Sequence, residues 1–90
     1  MTLVLYTKEA SFCGGCMATK RELQKYPDVT PIVIPVDDGQ PSTEIILKEL
    51  EADGFLQAPV VKIIDEHGDY VDAWSGFNPD KLREHLARAA

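Results

Sequence analysis

Two cysteines, at positions 13 and 16, are the only ones in the chain, and they bracket two glycines in the segment Ser-Phe-Cys-Gly-Gly-Cys. Such a pair can be a structural disulfide, half of a metal site, or a dithiol that is oxidised and reduced reversibly. A disulfide across so short a loop removes little entropy from the unfolded chain. A zinc site needs four ligands, and only His67 and His85 remain as soft candidates. The spacing therefore favours redox chemistry and predicts no metal site.

The position of the pair along the chain supports this interpretation. Cys13 stands where a strand pattern changes to a helix pattern, so the free N–H groups and the dipole of the helix N-terminus would favour its thiolate. Only a thiolate attacks a disulfide. We predict Cys13 as the nucleophile and Cys16, one helical turn later, as the resolving cysteine. Gly14 and Gly15 lack side chains and so let a bulky protein disulfide approach Cys13. Gly14 also suits a tight turn between strand and helix, and both explanations stay open.

The elements that must hold this pair alternate between strand and helix patterns. Residues 2–7 are apolar on both faces, which is typical of a central strand covered on each side. Helical spacing then places four residues on one face: Cys16, Thr19, Leu23 and Tyr26. Pro27 ends this helix. Residues 31–36 form a second strand pattern that contains Pro31 and Pro35. It is predicted at a sheet edge, because proline cannot donate to a strand ladder.

A second helix follows the turn-forming segment Asp-Asp-Gly-Gln-Pro. Ser42 is predicted as its N-cap, and Glu44 complements the dipole in the first turn. Gly54 provides the stop signal at its C-terminal end. The predicted buried face consists of Ile46, Leu47 and Leu50.

The remaining pattern predicts a hairpin and a last helix. Segments 59–65 and 69–74 flank a turn in which Gly68 can adopt a positive φ. Asn78 is predicted as the N-cap of the helix and Pro79 as its first residue. Predicted inward positions of this helix are Leu82, Leu86 and Ala89, and its C-terminal half carries Arg83 and Arg88. The element order is β-α-β-α-β-β-α, which is an α/β fold.

Composition narrows the class of protein. Ninety residues with 44% hydrophobic content suffice for one compact domain, predicted over residues 1–90. The net charge of −6 disfavours binding to nucleic acid or to an anionic membrane surface. The N-terminus lacks the basic and cleavage-site features of a secretory signal, and no apolar run approaches the roughly 20 residues that cross a bilayer. A cytoplasmic location is predicted.

Four segments carry a resemblance to the thioredoxin superfamily, and within it to the glutaredoxin-sized NrdH-type redoxins. They are Leu-Tyr-Thr-Lys at 5–8, the cysteine pair, Leu-Gln-Ala-Pro-Val-Val at 56–61, and Trp-Ser-Gly-Phe-Asn-Pro-Asp-Lys-Leu at 74–82. The last two are the more specific. The resemblance implies a thioredoxin-like fold with a four-stranded mixed sheet that carries helices on both faces.

The resemblance also implies a partner-binding surface around the dithiol. Pro59 would be a cis-proline, which leaves the backbone of Ala58 free to pair with an extended substrate segment. The other residues assigned to this surface are Phe12, Gly14, Gly15, Trp74, Ser75, Gly76 and Phe77. Core packing is the competing explanation for Trp74 and Phe77. Lys8 is a candidate for tuning the thiolate, although the segment between it and Cys13 is about two residues longer than in the family.

The activity implied is that of a protein disulfide reductase. NrdH-type redoxins donate electrons to class Ib ribonucleotide reductase and are reduced by thioredoxin reductase. The reversible disulfide would be the redox group, with no further cofactor, in a monomer. A tight glutathione site is not expected, because Ser75-Gly76-Phe77-Asn78 stands where glutaredoxins carry a Gly-Gly-Asp-like turn. Alternatives are a glutathione-dependent glutaredoxin, a module that binds an iron–sulfur cluster between two chains, and an adaptor that uses Trp74 and Phe77 as an interface.

Overall fold

The computed structural model of the chain describes residues 1–87 and contains four strands and three helices in the predicted order. Their bounds are β1 Thr2–Thr7, α1 Gly14–Leu23, β2 Ile32–Pro35, α2 Pro41–Ala52, β3 Val60–Ile64, β4 Tyr70–Ser75 and α3 Pro79–Leu86. Two positions of the predicted last helix, Arg88 and Ala89, lie outside the described residues. Within residues 1–87, no helix is both long enough and apolar enough to cross a membrane.

The four strands form one mixed sheet in the order β2-β1-β3-β4. β1 pairs in parallel with β2 and antiparallel with β3, and β3 pairs antiparallel with β4. The parallel pair requires a crossover connection, which α1 supplies. β2 occupies an edge, as its prolines predicted, with Pro35 opposite Thr7 at the end of the ladder. The mixed four-stranded sheet implied by the family resemblance is thus confirmed.

Helices cover both faces of the sheet, because the central strands are apolar on both sides. One core cluster, on the face covered by α1 and α3, consists of Leu3, Leu5, Leu23, Val61, Ile63, Trp74, Leu82 and Leu86. The other, beneath α2, consists of Val36, Leu50 and Val60, with Tyr6, Ile46, Leu47 and Phe55 packed against it. Successive residues of a strand point to opposite faces, so β1 contributes alternate side chains to the two clusters.

The start of α2 differs from the prediction. Ser42 is not the N-cap: Gln40 is, and Pro41 is the first helical residue. The fixed φ of proline suits this position, and its missing N–H would have had no partner in the first turn. Glu44 does lie in the first turn, and its N–H donates to the Gln40 carbonyl at 3.0 Å. At the other end Gly54 follows the helix with a φ of 91°, in agreement with the predicted stop.

The start of α3 agrees with the prediction. Asn78 is the N-cap, and its side-chain oxygen accepts a hydrogen bond from the backbone N–H of Lys81 at 3.2 Å. Pro79 is the first helical residue. The loop between β4 and α3 therefore ends at a well-defined residue, Asn78.

Candidate functional site

The two cysteines lie at the N-terminal end of α1, directly after the loop that leaves β1. Cys13 is the N-cap, with extended backbone, and its sulfur accepts a hydrogen bond from the Cys16 N–H at 3.2 Å. A disulfide joins the two residues, whose Cα atoms are 5.3 Å apart. A sulfur thus occupies the position in which capping residues usually place an oxygen, facing the free N–H groups of the first turn.

The two sulfur-bearing residues differ in exposure. Cys13 is half-buried, whereas Cys16 is buried, with 3% of its surface exposed. In the reduced protein a partner disulfide can therefore approach Cys13 from solvent while Cys16 stays behind it. The helix N-terminus stabilises negative charge, which favours the thiolate of the residue at the cap. The assignment of Cys13 as the nucleophile and Cys16 as the resolving cysteine stays a prediction.

The two glycines between the cysteines have different surroundings. A Cβ atom added at Gly15 would lie 2.9 Å from Cδ of Pro59 and 3.8 Å from the backbone nitrogen of Phe77. A Cβ atom added at Gly14 would meet only the ring of Phe12, at 3.6 Å, an ordinary van der Waals distance. Gly15 therefore allows α1 to approach Pro59 closely, whereas Gly14 has room for a side chain.

Pro59 connects the cysteine helix to the loop before α3. The peptide bond between Ala58 and Pro59 is cis, which is the geometry implied by the family resemblance, and Pro59 is fully buried. Its carbonyl accepts a hydrogen bond from the Gly76 N–H at 2.7 Å. Three segments thus meet at one place: the first turn of α1, the proline before β3, and residues 75–77.

The backbone of Ala58 lies just before β3, next to Pro59. Within residues 1–87, Ala58 takes part in no backbone hydrogen bond of the turns and loops. The segments that meet here also carry exposed apolar side chains: Phe12 at 87%, Leu56 at 75%, Met17 at 54% and Phe77 at 43% exposed. This surface therefore combines exposed apolar side chains with a backbone segment that the turn and loop hydrogen bonds leave unused.

The end of β4 and the loop that follows it divide into a buried and an exposed part. Trp74 is only 7% exposed and belongs to the larger core cluster, in agreement with the core-packing explanation. Ser75 and Phe77 are exposed. Gly76 lies between them with a φ of 84°, a conformation that other residues rarely adopt. Trp74 therefore supports the loop from beneath, while the residues after it face the outside.

Four side chains tie β4 to α3 and are here called the Asp72 cluster: Asp72, Trp74, Lys81 and His85. One carboxylate oxygen of Asp72 accepts a hydrogen bond from Lys81 Nζ at 2.8 Å and lies 2.9 Å from His85 Nε2. The His85 ring stacks on Trp74 with centroids 5.9 Å apart, and Lys81 Nζ lies 5.8 Å from the Trp74 ring. Hydrogen bonds from Lys81 and His85 lower the pKa of Asp72 from 3.8 to about 2, despite the opposing effect of burial. The sequence alone assigned no role to Asp72.

Asp72 should make the stability of the fold sensitive to acid. Because its pKa is lowered on folding, its contribution is complete above the unfolded value of 3.8 and is lost as the pH falls toward 2. We expect a contribution of about 1–2 kcal/mol, allowing for partial exposure of the carboxylate. The difference in free energy of unfolding between the wild type and Asp72→Asn, measured by urea denaturation, should shrink by this amount between about pH 6 and about pH 2. A difference that is constant over this range would contradict the expectation.

A second carboxylate organises the loop that precedes Cys13. The Asp37 side chain accepts hydrogen bonds from the backbone N–H groups of Glu9, Ala10 and Ser11 at 2.8–3.2 Å, and from the Ser11 hydroxyl at 3.2 Å. Desolvation raises the pKa of Asp37, but these hydrogen bonds outweigh it and the net pKa lies below the usual value. Asp37 follows β2, and the parallel pairing of β1 with β2 brings it to the end of β1. The long loop after β1 is therefore held in a defined position.

Lys8 lies on the side of the site that faces α2. Its side chain is exposed and lines a shallow cavity together with Ala58 and Leu56. Within residues 1–87, Lys8 forms no ion pair; the cation tied to this loop is Lys20, whose Nζ lies 2.7 Å from a carboxylate oxygen of Glu9. An effect of Lys8 on the thiolate remains a prediction.

The side chains described here do not gather into a metal site. Among residues 1–87, no group of three or more histidine, cysteine or acidic side chains is arranged to hold a metal ion. His85 belongs to the Asp72 cluster.

Several solved structures share this fold. The glutaredoxin-like protein NrdH-redoxin from Escherichia coli, which has a thioredoxin-like activity profile, is 32% identical, with a TM-score of 0.72 over 94% of this chain and 95% of its own. Thioredoxin from Trypanosoma brucei brucei is 25% identical, with a TM-score of 0.66 over 98% and 73%. The glutaredoxin from Archaeoglobus fulgidus is 23% identical, with a TM-score of 0.69 over 96% and 85%, a likeness of fold. No protein-family model and no curated protein sequence matches the chain.

Proposed function

The chain belongs to the NrdH-type, glutaredoxin-like redoxins of the thioredoxin superfamily and is a thiol–disulfide oxidoreductase, and we propose that it reduces protein disulfides as an electron carrier for ribonucleotide reductase. One observation carries the proposal. Cys13 is a half-buried N-cap, Cys16 is buried behind it, and the turn that holds them lies against Pro59 and the backbone of Phe77.

The proposed reaction has two steps. The Cys13 thiolate attacks one sulfur of the partner's disulfide, so that a mixed disulfide forms and the other partner sulfur leaves as a thiolate. Cys16, after losing its proton, then attacks the Cys13 sulfur, which forms the Cys13–Cys16 disulfide and releases the second partner thiolate. Two electrons pass to the partner, whose two thiolates take up two protons. Thioredoxin reductase is proposed to return two electrons from NADPH to the pair.

Substrate binding is proposed to use the backbone of Ala58. An extended segment of the partner would pair with it as an added strand, which places the partner's disulfide beside Cys13. Phe12, Gly14 and the residues from Ser75 to Phe77 would border this segment. The half-exposed ring of Phe77 is the side chain of that loop best placed to contact it.

The choice of class Ib ribonucleotide reductase and thioredoxin reductase rests on similarity to the redoxin of E. coli, whose activity profile is thioredoxin-like. The protein is further proposed to be cytoplasmic. It is proposed to act as a monomer with no cofactor beyond its disulfide, because both reacting sulfurs belong to one chain. Glutathione is expected to bind weakly, since Ser75 and Phe77 stand in the loop where glutaredoxins carry their glutathione-binding turn.

Two electron sources tested separately decide between the proposed function and a glutathione-dependent one. Oxidation of NADPH, coupled to reduction of a protein disulfide such as that of insulin, should be at least about tenfold faster with thioredoxin reductase than with glutathione and glutathione reductase. The omission of the redoxin from each mixture is the control. Activity with the glutathione system alone would overturn the proposal in favour of a glutaredoxin.

A further inference from the structure

The Asp72 cluster sits at both ends of the loop that borders the dithiol. Asp72 and Trp74 lie on the same face of β4, immediately before residues 75–78. Lys81 and His85 lie one turn apart on α3, immediately after it. Contacts of Asp72 with both α3 residues therefore fix the distance between the strand and the helix that the loop must span.

The loop held in this way makes the contacts that shape the site. Gly76 donates its N–H to the Pro59 carbonyl at 2.7 Å. The backbone nitrogen of Phe77 lies 3.8 Å from the position that a Cβ atom at Gly15 would occupy. A shift of α3 relative to β4 would move these backbone atoms away from Pro59 and the first turn of α1.

Asp72 is the critical member of the cluster because its carboxylate carries the negative charge that compensates Lys81. Its side chain is 23% exposed, and those of Lys81 and His85 are 39% and 16% exposed, so the ion pair with Lys81 and the hydrogen bond with His85 are partly shielded from water. Removal of the Asp72 charge leaves Lys81 without compensation, at a cost that rises as the pair is shielded from water. By contrast, the ion pair between Asp80 and Arg83 on the same helix is 87% and 66% exposed and contributes little.

From these contacts we infer that Asp72 is a positioning residue for recognition of protein disulfides. Through Lys81 and His85 it holds the loop of residues 75–77 against Pro59, and that loop forms one border of the surface on which a partner segment lies. The inference rests on the proposed function. It assigns to Asp72 no contact with the reacting sulfurs, so the intrinsic reactivity of Cys13 should not depend on Asp72.

A kinetic comparison of variants tests whether Asp72 affects recognition of the partner protein but not the reactivity of Cys13. Asp72→Asn removes the charge at nearly constant volume, and Asp80→Asn makes the same change at the exposed pair as a control. With dithiothreitol as the electron source, the KM for insulin should rise about fivefold in Asp72→Asn while kcat stays within about twofold of the wild type. The rate at which reduced protein reacts with a small aromatic disulfide should be unchanged. Equal KM values for insulin in the wild type and Asp72→Asn would overturn the inference. So would an equal loss of rate with insulin and with the small aromatic disulfide.

Amide hydrogen exchange gives a test that does not depend on activity. At a temperature where all three proteins are folded, the Gly76 amide should exchange about fivefold faster in Asp72→Asn than in the wild type or Asp80→Asn. The amide of Leu5, in a central strand, corrects for any change in global stability. If the Gly76 amide of Asp72→Asn exchanges no faster than that of the wild type after this correction, the inference is wrong. If the wild-type protein cannot reduce insulin, the proposed function is wrong. In that case the exchange rates still test the role of Asp72.

Discussion

Cys16→Ser should abolish multiple turnover and accumulate a covalent complex between the redoxin and its partner. Cys13 remains the half-exposed N-cap in this variant, so it can still attack a partner disulfide and release one thiolate. The second step cannot follow, because the buried position behind Cys13 now holds a hydroxyl in place of a thiol. The mixed disulfide should be visible by intact mass under non-reducing conditions and should disappear with dithiothreitol.

Cys13→Ser is the matched control, and it should lose turnover without forming any complex. Cys16 is 3% exposed, so its sulfur is not accessible to a folded partner protein. We expect turnover at the level of the uncatalysed reaction, a loss of at least about 1,000-fold. Should Cys16→Ser instead sustain multiple turnover with thioredoxin reductase and NADPH, the two-cysteine reaction would be wrong.

Gly15→Ala should impair both folding and activity. The new Cβ atom would lie 2.9 Å from Cδ of Pro59, a buried ring atom that cannot rotate away. Relief requires a shift of α1 or of the proline segment, at a cost of about 1–3 kcal/mol. The same shift separates Cys13 from the Ala58 backbone, so we expect reduction of insulin to slow by at least about tenfold.

Gly14→Ala provides the comparison for this substitution within the same turn. Its Cβ atom would meet only the Phe12 ring, at 3.6 Å, and alanine is favoured over glycine in a helix by up to about 1 kcal/mol. Its free energy of unfolding, measured by urea denaturation, should therefore equal or exceed that of the wild type. If the two variants behave alike, close packing against Pro59 is not the reason for Gly15.

Much of the fold could be predicted because its signals are local. Short apolar runs located the strands, the prolines of residues 31–36 located the sheet edge, and Asn78 with Pro79 located the start of α3. The start of α2 was placed wrongly because Ser42 and Pro41 are both start signals. Proline at the first helical position took precedence over a serine that could cap.

The site was predictable only where its chemistry lies within one segment. The cysteine pair, with three-residue spacing at a strand-to-helix junction, is such a segment. The role of Gly15 depends on its contact with Pro59, which is distant in sequence. The sequence alone therefore could not separate the two explanations for the glycines. Asp37 and Asp72 act on loops from other elements. Their contacts depend on how β2 lies against β1 and α3 against β4.

The reactivity of Cys13 in the reduced protein tests the central claim most directly. The claim is that the N-terminal end of α1 keeps this sulfur ionised near neutral pH. Alkylation by iodoacetamide at pH 7, followed by peptide mass analysis, should modify Cys13 at least about tenfold faster than the thiol of free glutathione, and Cys16 far more slowly. A Cys13 rate equal to that of glutathione would contradict the account.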